Sequence, residues 1–317
     1  MKRKTAVITI VVLTCLMSTQ GAFPWGSLTH AFITSQIVAE NGILRDNALY
    51  GSTSPDFANY MFTSPYQNYL MDRTHVDFLR VWKMARGGPD FGPERAAAFG
   101  FVAHNEEDYT AHTTSQYLDS HADGYVVQKA AILEQVLSNY GAWSQLGLEG
   151  ETYAAVRAEL SHEVIEFAGD LFVALYVDHG AGQILSEAAA SGHGAFPEIL
   201  TRAYAGGLVA ASDQIGIPLN QRAASNILTG GELIFRGGMV SYGELFTSAD
   251  PGEVFANVVL YVQKLAVLRG IQVEDPNLVA QVLMAGLSVI QYDFVPEISM
   301  AAEFAAGQLA RQKIVPY

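Results

Sequence analysis

Apolar residues recur along most of this chain at intervals of three and four, and the strict alternation of a half-buried strand is scarce, so the sequence predicts an all-α fold. The pattern places helices over 27–40, 94–120, 124–140, 151–178, 196–212, 253–268, 276–292 and 296–313. Some ends are marked by their residues. Asp250-Pro251 and Asp275-Pro276 each offer a capping carboxylate followed by a preset φ, and Arg269-Gly270 supplies a terminal cation and a left-handed stop. Between Gly42 and Gly92 the periodicity breaks into Gly, Pro, Asn, Ser and aromatic residues, which predicts a long irregular stretch of the kind that often carries function. A seam at Ser191-Gly192-His193-Gly194 separates residues 23–190 from 191–317, with the second part read as further helices of the same domain.

Composition narrows the class. With 317 residues, 50% hydrophobic and 16% charged, the chain can bury a large core, which excludes disorder and small disulfide scaffolds. The formal charge is −14, so a nucleic-acid binder working through a basic patch is excluded unless bound metal supplies positive charge. Residues 1–22 read as an export signal: Met1-Lys2-Arg3-Lys4 is basic, Thr5 to Met17 is largely apolar, and small or polar residues follow to Ala22. The expected destination is the periplasm or the medium. The one cysteine, Cys15, lies inside that signal, in a stretch faintly like a lipoprotein cleavage box. The mature chain then has no thiolate, and any zinc site must use His, Asp and Glu.

All eight histidines fall between His30 and His193, while the last 124 residues contain none. On the 94–120 helix, His104, Asp108 and His112 are spaced by four and share one helical face; His162 and Glu166 repeat the spacing on the 151–178 helix. A single His-x-x-x-Asp pair is commonly a surface hydrogen bond or ion pair. Two such helices with a third His in register suit a clamp for a divalent metal, since side chains at i and i+4 reach one point. Imidazole plus carboxylate favours zinc, with manganese or iron also compatible. His121, His179 and His193 lack a partner at ligand spacing and read as surface or loop histidines.

With three further pieces the chain resembles a family. Trp25-Gly26-Ser27-Leu28-Thr29-His30 is similar to the metal-binding amino terminus of zinc-dependent phospholipases C. Ser54-Pro55-Asp56-Phe57 resembles their Pro-Asp ligand loop, Thr74-His75 the next ligand, His104-x-x-x-Asp108 with His112 the central helix, and His162-x-x-x-Glu166 the last. The ligand order is kept from Trp25 to Glu166. Fungal single-strand nucleases share this trinuclear site. The four-residue step from Asp108 to His112 is more like the glycosylphosphatidylinositol-specific phospholipase D branch than the secreted toxin-type enzymes.

The resemblance implies a multi-helix domain with two or three zinc ions held between helices. It puts Asp56, His75, His104 and Asp108 on one zinc, His112, His162 and Glu166 on a second, and Trp25 with His30 on a third, Asp108 bridging. Asp56 would also orient the attacking water or hydroxide. In that family the Trp ligates through a free amino group. Cleavage after Ala22 leaves Phe23-Pro24 ahead of Trp25, so either a second trimming removes them or the third zinc is weak or absent. The implied reaction is hydrolysis of phospholipid to diacylglycerol and a phosphorylated head group, with transient contact at a membrane surface; no protein partner is implied. Phe57, Tyr60, Phe62, Tyr66 and Tyr69 offer an aromatic stretch either to rest on lipid or surround a choline group, or to pack in the core or a loop. The acidic chain fits zwitterionic lipid better than nucleic acid. Two alternatives stay open: a nuclease or other phosphodiesterase on the same metals, and a secreted zinc-binding helical protein without turnover.

Overall fold

The computed structural model describes residues 25–38, 42–61, 64–86, 92–118, 123–191, 196–268, 270–271, 273 and 275–315. Residues 1–22, expected to be an export signal, with Cys15, the seam residues 192–194, Phe62, His121 and His193 lie outside them. The described residues form fourteen α-helices and no strand, in one all-α domain. In chain order these are α1 (Ser27–Ile37), α2 (Ile43–Thr53), α3 (Gln67–Val76), α4 (Leu79–Met84), α5 (Pro93–His112), α6 (Tyr125–Asn139), α7 (Ala142–Gln145), α8 (Ala154–Phe172), α9 (Ala181–Ser191), α10 (Phe196–Ile215), α11 (Gln221–Glu244), α12 (Pro251–Leu268), α13 (Pro276–Ile290) and α14 (Phe294–Arg311). A 3₁₀ segment, Ser54–Tyr60, follows α2, and a π-helical turn, Val173–Val177, ends α8. No single described helix is long and apolar enough to cross a membrane.

The caps act as their residues suggest. The Asp275 side chain accepts from Asn277 N–H and Asp250 Oδ1 from Gly252 N–H, while Gly270 takes φ 78° where α12 stops. Three expectations are corrected. The stretch from Gly42 to Gly92 is not irregular, because it holds α2, the 3₁₀ segment, α3 and α4. Its helices are short, and α2 is buried on every side from Asn47 to Thr53, so no polar face marks it in the sequence. The helix over 94–120 ends at His112, and residues 115–118 form a loop held by Glu297, whose carboxylate accepts from Ser115 Oγ, Gln116 N–H and Tyr117 N–H. The helices α9 and α11 were not expected. Glycines at 230, 231, 237, 238 and 243 interrupt the pattern of α11.

One core runs through both sides of the 192–195 gap. Phe101 lies 6.0 Å from Phe196, Tyr50 6.2 Å from Phe235 and Trp25 6.0 Å from Phe294, ring centre to ring centre. The histidine-free half is therefore built into the same core as the histidine-rich half. The closest crossing is α2 on α5. A side chain on Gly100 would strike the Ala48 carbonyl and one on Gly51 the Ala97 carbonyl, so glycine at both points lets the two backbones touch. That contact has a chemical result. It carries the Ser52 carbonyl, one of the last four of α2 and so without a helical partner, to the side of His104.

Candidate metal centre

The five helical segments that carry the expected ligands converge on one chamber. Asp56 sits in the 3₁₀ segment, His75 near the end of α3, His104, Asp108 and His112 along α5, His162 and Glu166 on α8, and His30 on α1. Two trios of ligand atoms each fall within 4.8 Å of one another: Asp56 with His75 and His104, and His112 with His162 and Glu166. Ligands about 2.0–2.1 Å from a tetrahedral ion stand roughly 3.3–3.4 Å apart. His104 Nε2 is 3.4 Å from His75 Nε2, His75 Nε2 is 3.6 Å from Asp56 Oδ1, and His112 Nε2 is 3.5 Å from Asp108 Oδ1. Glu166 Oε1 is 2.8 Å from His162 Nε2, closer than that spacing. The set fits a metal of zinc's size and donor preference.

Two further observations test the fit. Asp56 Oδ2, Asp108 Oδ1 and Glu166 Oε1 are buried and make no hydrogen bond, an expensive state for carboxylate oxygens unless a cation takes them up. The histidines are also braced from behind. His75 Nδ1 is 2.8 Å from the Met71 carbonyl, His104 Nδ1 2.7 Å from the Ser52 carbonyl and His30 Nδ1 2.7 Å from Glu107 Oε2. Each acceptor faces Nδ1 and fixes the orientation of its ring, the kind of bracing that orients metal-bound imidazoles.

The electrostatics agree. Burial, and then the neighbouring imidazoles, push His30 and His104 well below the ordinary histidine value. Burial opposes charge on His75, but the Asp56 carboxylate beside it outweighs this and lifts the imidazole to about 9. Burial raises Asp56 against the pull of His75 and lifts Asp108 to about 7; burial, then Glu163 and Asp56, push Glu166 well up. The raised acids and the lowered His30 and His104 reflect groups buried together, while His75 keeps its proton beside Asp56. The side chains of His75 and His112 remain 20% and 27% exposed.

Asp108 stands between the trios, with Oδ1 facing His112 and its carboxyl responding to His75 and Asp56. Trp25 is buried, its ring 5.6 Å from Tyr125, its indole N–H donating to the Glu107 carbonyl and its main-chain nitrogen 3.3 Å from His30 Nε2. His179, expected to lie apart, joins neither trio and has Nδ1 2.9 Å from the Ala174 carbonyl. Of the two readings of the aromatic stretch, core packing holds at two positions. Phe57 and Tyr66 are core residues, Phe57 against Gly231 of α11 and Tyr66 donating to the Ile217 carbonyl, so neither faces a lipid.

Sequence reasoning missed Glu107, Asp170 and Asn59. Asp170 on α8 receives Leu28 N–H, Thr29 N–H and the Thr29 hydroxyl at the start of α1, and Asn59 Nδ2 donates to Asp56 Oδ1 over 3.3 Å. The run Glu106-Glu107-Asp108 inside a helix was a signal for Glu107, since three adjacent acids cannot all face water. No family model, no characterised protein and no solved structure matches this chain.

Proposed function

We propose that the chain is an exported zinc-dependent phosphoric diester hydrolase of phospholipase C type, cleaving phospholipid to diacylglycerol and a phosphorylated head group. The observation that carries this reading is the pair of ligand trios, each with its donor atoms within 4.8 Å of one another, together with buried carboxylate oxygens that no hydrogen bond satisfies. In this reading Asp56, His75 and His104, with Asp108 beside them, hold one zinc, and His112, His162 and Glu166 hold another. Trp25 and His30 hold a third once Trp25 begins the chain. Zinc in such sites offsets negative charge on phosphoryl oxygens and acidifies water.

The chain's own residues supply the rest. Asp56 Oδ2 is buried and free of hydrogen bonds, so it can accept a proton from an attacking water, while Asn59 holds the other oxygen of that carboxylate. The bracing of three imidazoles through Nδ1 keeps their Nε2 atoms in place as the substrate enters. The acidic composition favours a neutral lipid surface over a polyanion.

Metal content of the purified exported protein, with its first residue read by mass spectrometry and with phosphatidylcholine and single-stranded DNA offered as substrates, tests the reading. Two or three zinc ions per chain with release of diacylglycerol is the expected result. Cleavage of DNA alone moves the reading to a nuclease, and zinc without hydrolysis moves it to a binding protein. A chain that takes up no zinc overturns it.

A further inference from the structure

Glu107 lies on α5 between His104 and Asp108 and is fully buried, yet both of its oxygens are engaged. Oε2 is 2.7 Å from His30 Nδ1, and Oε1 accepts the Thr34 hydroxyl over 2.7 Å from one turn further along α1. Its main-chain carbonyl takes the Trp25 indole N–H over 3.1 Å. On the opposite side of the His30 ring, Nε2 is the acceptor for the Trp25 main-chain N–H at 3.3 Å. A ring that accepts at Nε2 and faces a carboxylate at Nδ1 carries its proton on Nδ1.

His75 and His104 are braced in the same sense, but by neutral main-chain carbonyls. Burial pushes the Glu107 carboxyl well above the ordinary glutamate value, but because Nε2 already accepts a proton, Oε2 is the acceptor of the bond at Nδ1. His30 is also stacked on His104, with ring centres 3.9 Å apart, so a turn of the His30 ring would disturb a ligand of the first trio. We propose that Glu107 is a positioning residue of the metal centre, holding His30 as the Nδ1–H tautomer so that Nε2 is an acceptor, for the Trp25 main-chain N–H here and for a metal ion in its place when one binds, while Thr34 holds Glu107.

The metal half of this inference rests on the zinc reading above; the tautomer half does not. The test uses the full exported chain and its Glu107→Ala, Glu107→Gln and Thr34→Val variants. Long-range proton–nitrogen NMR reads the His30 tautomer, and competition with a chromogenic chelator reads zinc affinity. In the parent chain His30 should carry its proton on Nδ1. Glu107→Ala should lose that tautomer and bind one zinc about 10–100-fold more weakly. The near-isosteric Glu107→Gln and Thr34→Val should show smaller shifts in the same direction, and these two keep the test decisive if the alanine variant does not fold. Zinc on His112, His162 and Glu166 should keep its affinity throughout, which a general loss of structure would not allow.

An Nε2–H tautomer of His30 in the parent chain would overturn the proposal. So would zinc affinities in Glu107→Ala equal to those of a parent chain that binds zinc. A parent chain that binds no zinc overturns the zinc reading itself, and with it the metal role of Glu107.

Discussion

The Tyr242 hydroxyl donates to Asp170 Oδ2 over 2.7 Å, and the same carboxylate receives the first-turn N–H groups of the helix that carries His30. A residue of α11, in the half of the chain without histidine, thereby anchors the acid that caps α1 from across the domain. The free N–H groups of a helix start need such an acceptor, and the buried carboxylate answers three donors there and a fourth from Tyr242. Asp170→Ala should lower stability by about 3 kcal/mol and Tyr242→Phe by about 1–2 kcal/mol. Urea unfolding checks both. A loss below about 0.5 kcal/mol for Asp170→Ala would show that water replaces the cap.

The crossing of α2 and α5 gives a second expectation. Alanine at Gly100 would drive a methyl group into the Ala48 carbonyl, which sits in main chain and cannot swing away. Gly100→Ala should cost at least about 3 kcal/mol. At Gly237 in α11 nothing stands within 4 Å of the added carbon, so Gly237→Ala should gain roughly 0.5–1 kcal/mol from helix propensity. The two melting temperatures should move in opposite directions.

Ligand variants should separate the trios. His104→Ala and Asp108→Ala should each abolish hydrolysis and lower the zinc content measured by mass spectrometry. His162→Ala should remove zinc from its own trio and leave that on Asp56, His75 and His104. His179→Ala should change neither metal nor activity, since its ring is occupied with the Ala174 carbonyl. Equal zinc in His104→Ala and the parent chain would refute the site.

Metal removal should be visible as lost stability. Without a cation the buried oxygens of Asp56, Asp108 and Glu166 accept no hydrogen bond and have only neighbouring imidazole nitrogens beside them, so chelation should lower the unfolding temperature. Adding zinc back at 100 times its dissociation constant should restore about 2.7 kcal/mol. Calcium should not, because each trio supplies two imidazoles where calcium takes six to eight oxygens. Restoration by calcium equal to that by zinc would count against the donor set.

What could be read in advance divides along physical lines. The long amphipathic helices were legible, and α6, α10, α12, α13 and α14 start and stop within a few residues of expectation because one face of each meets solvent. The helix α2 was not legible, since a segment buried on all sides has no period to read. The ligand residues were legible through the i and i+4 spacing on α5 and α8. Their braces were not. The Ser52 and Met71 carbonyls are main-chain groups that any residue supplies; Met71 lies one turn before His75 on α3, whereas only the packing of α1, α2 and α5 puts Ser52 beside His104 and Glu107 beside His30, 77 positions away.

Along α5, His104 serves the first trio and His112 the second, with Asp108 halfway between, so one rigid rod runs through the whole centre. Each residue advances a helix by about 1.5 Å and turns it by roughly 100°. The separation of the two trios is therefore counted out in main-chain steps. Inserting a single residue anywhere from 105 to 111 would swing His112 off the shared face while leaving every ligand in the sequence, and the chain would keep its donors but lose their common focus.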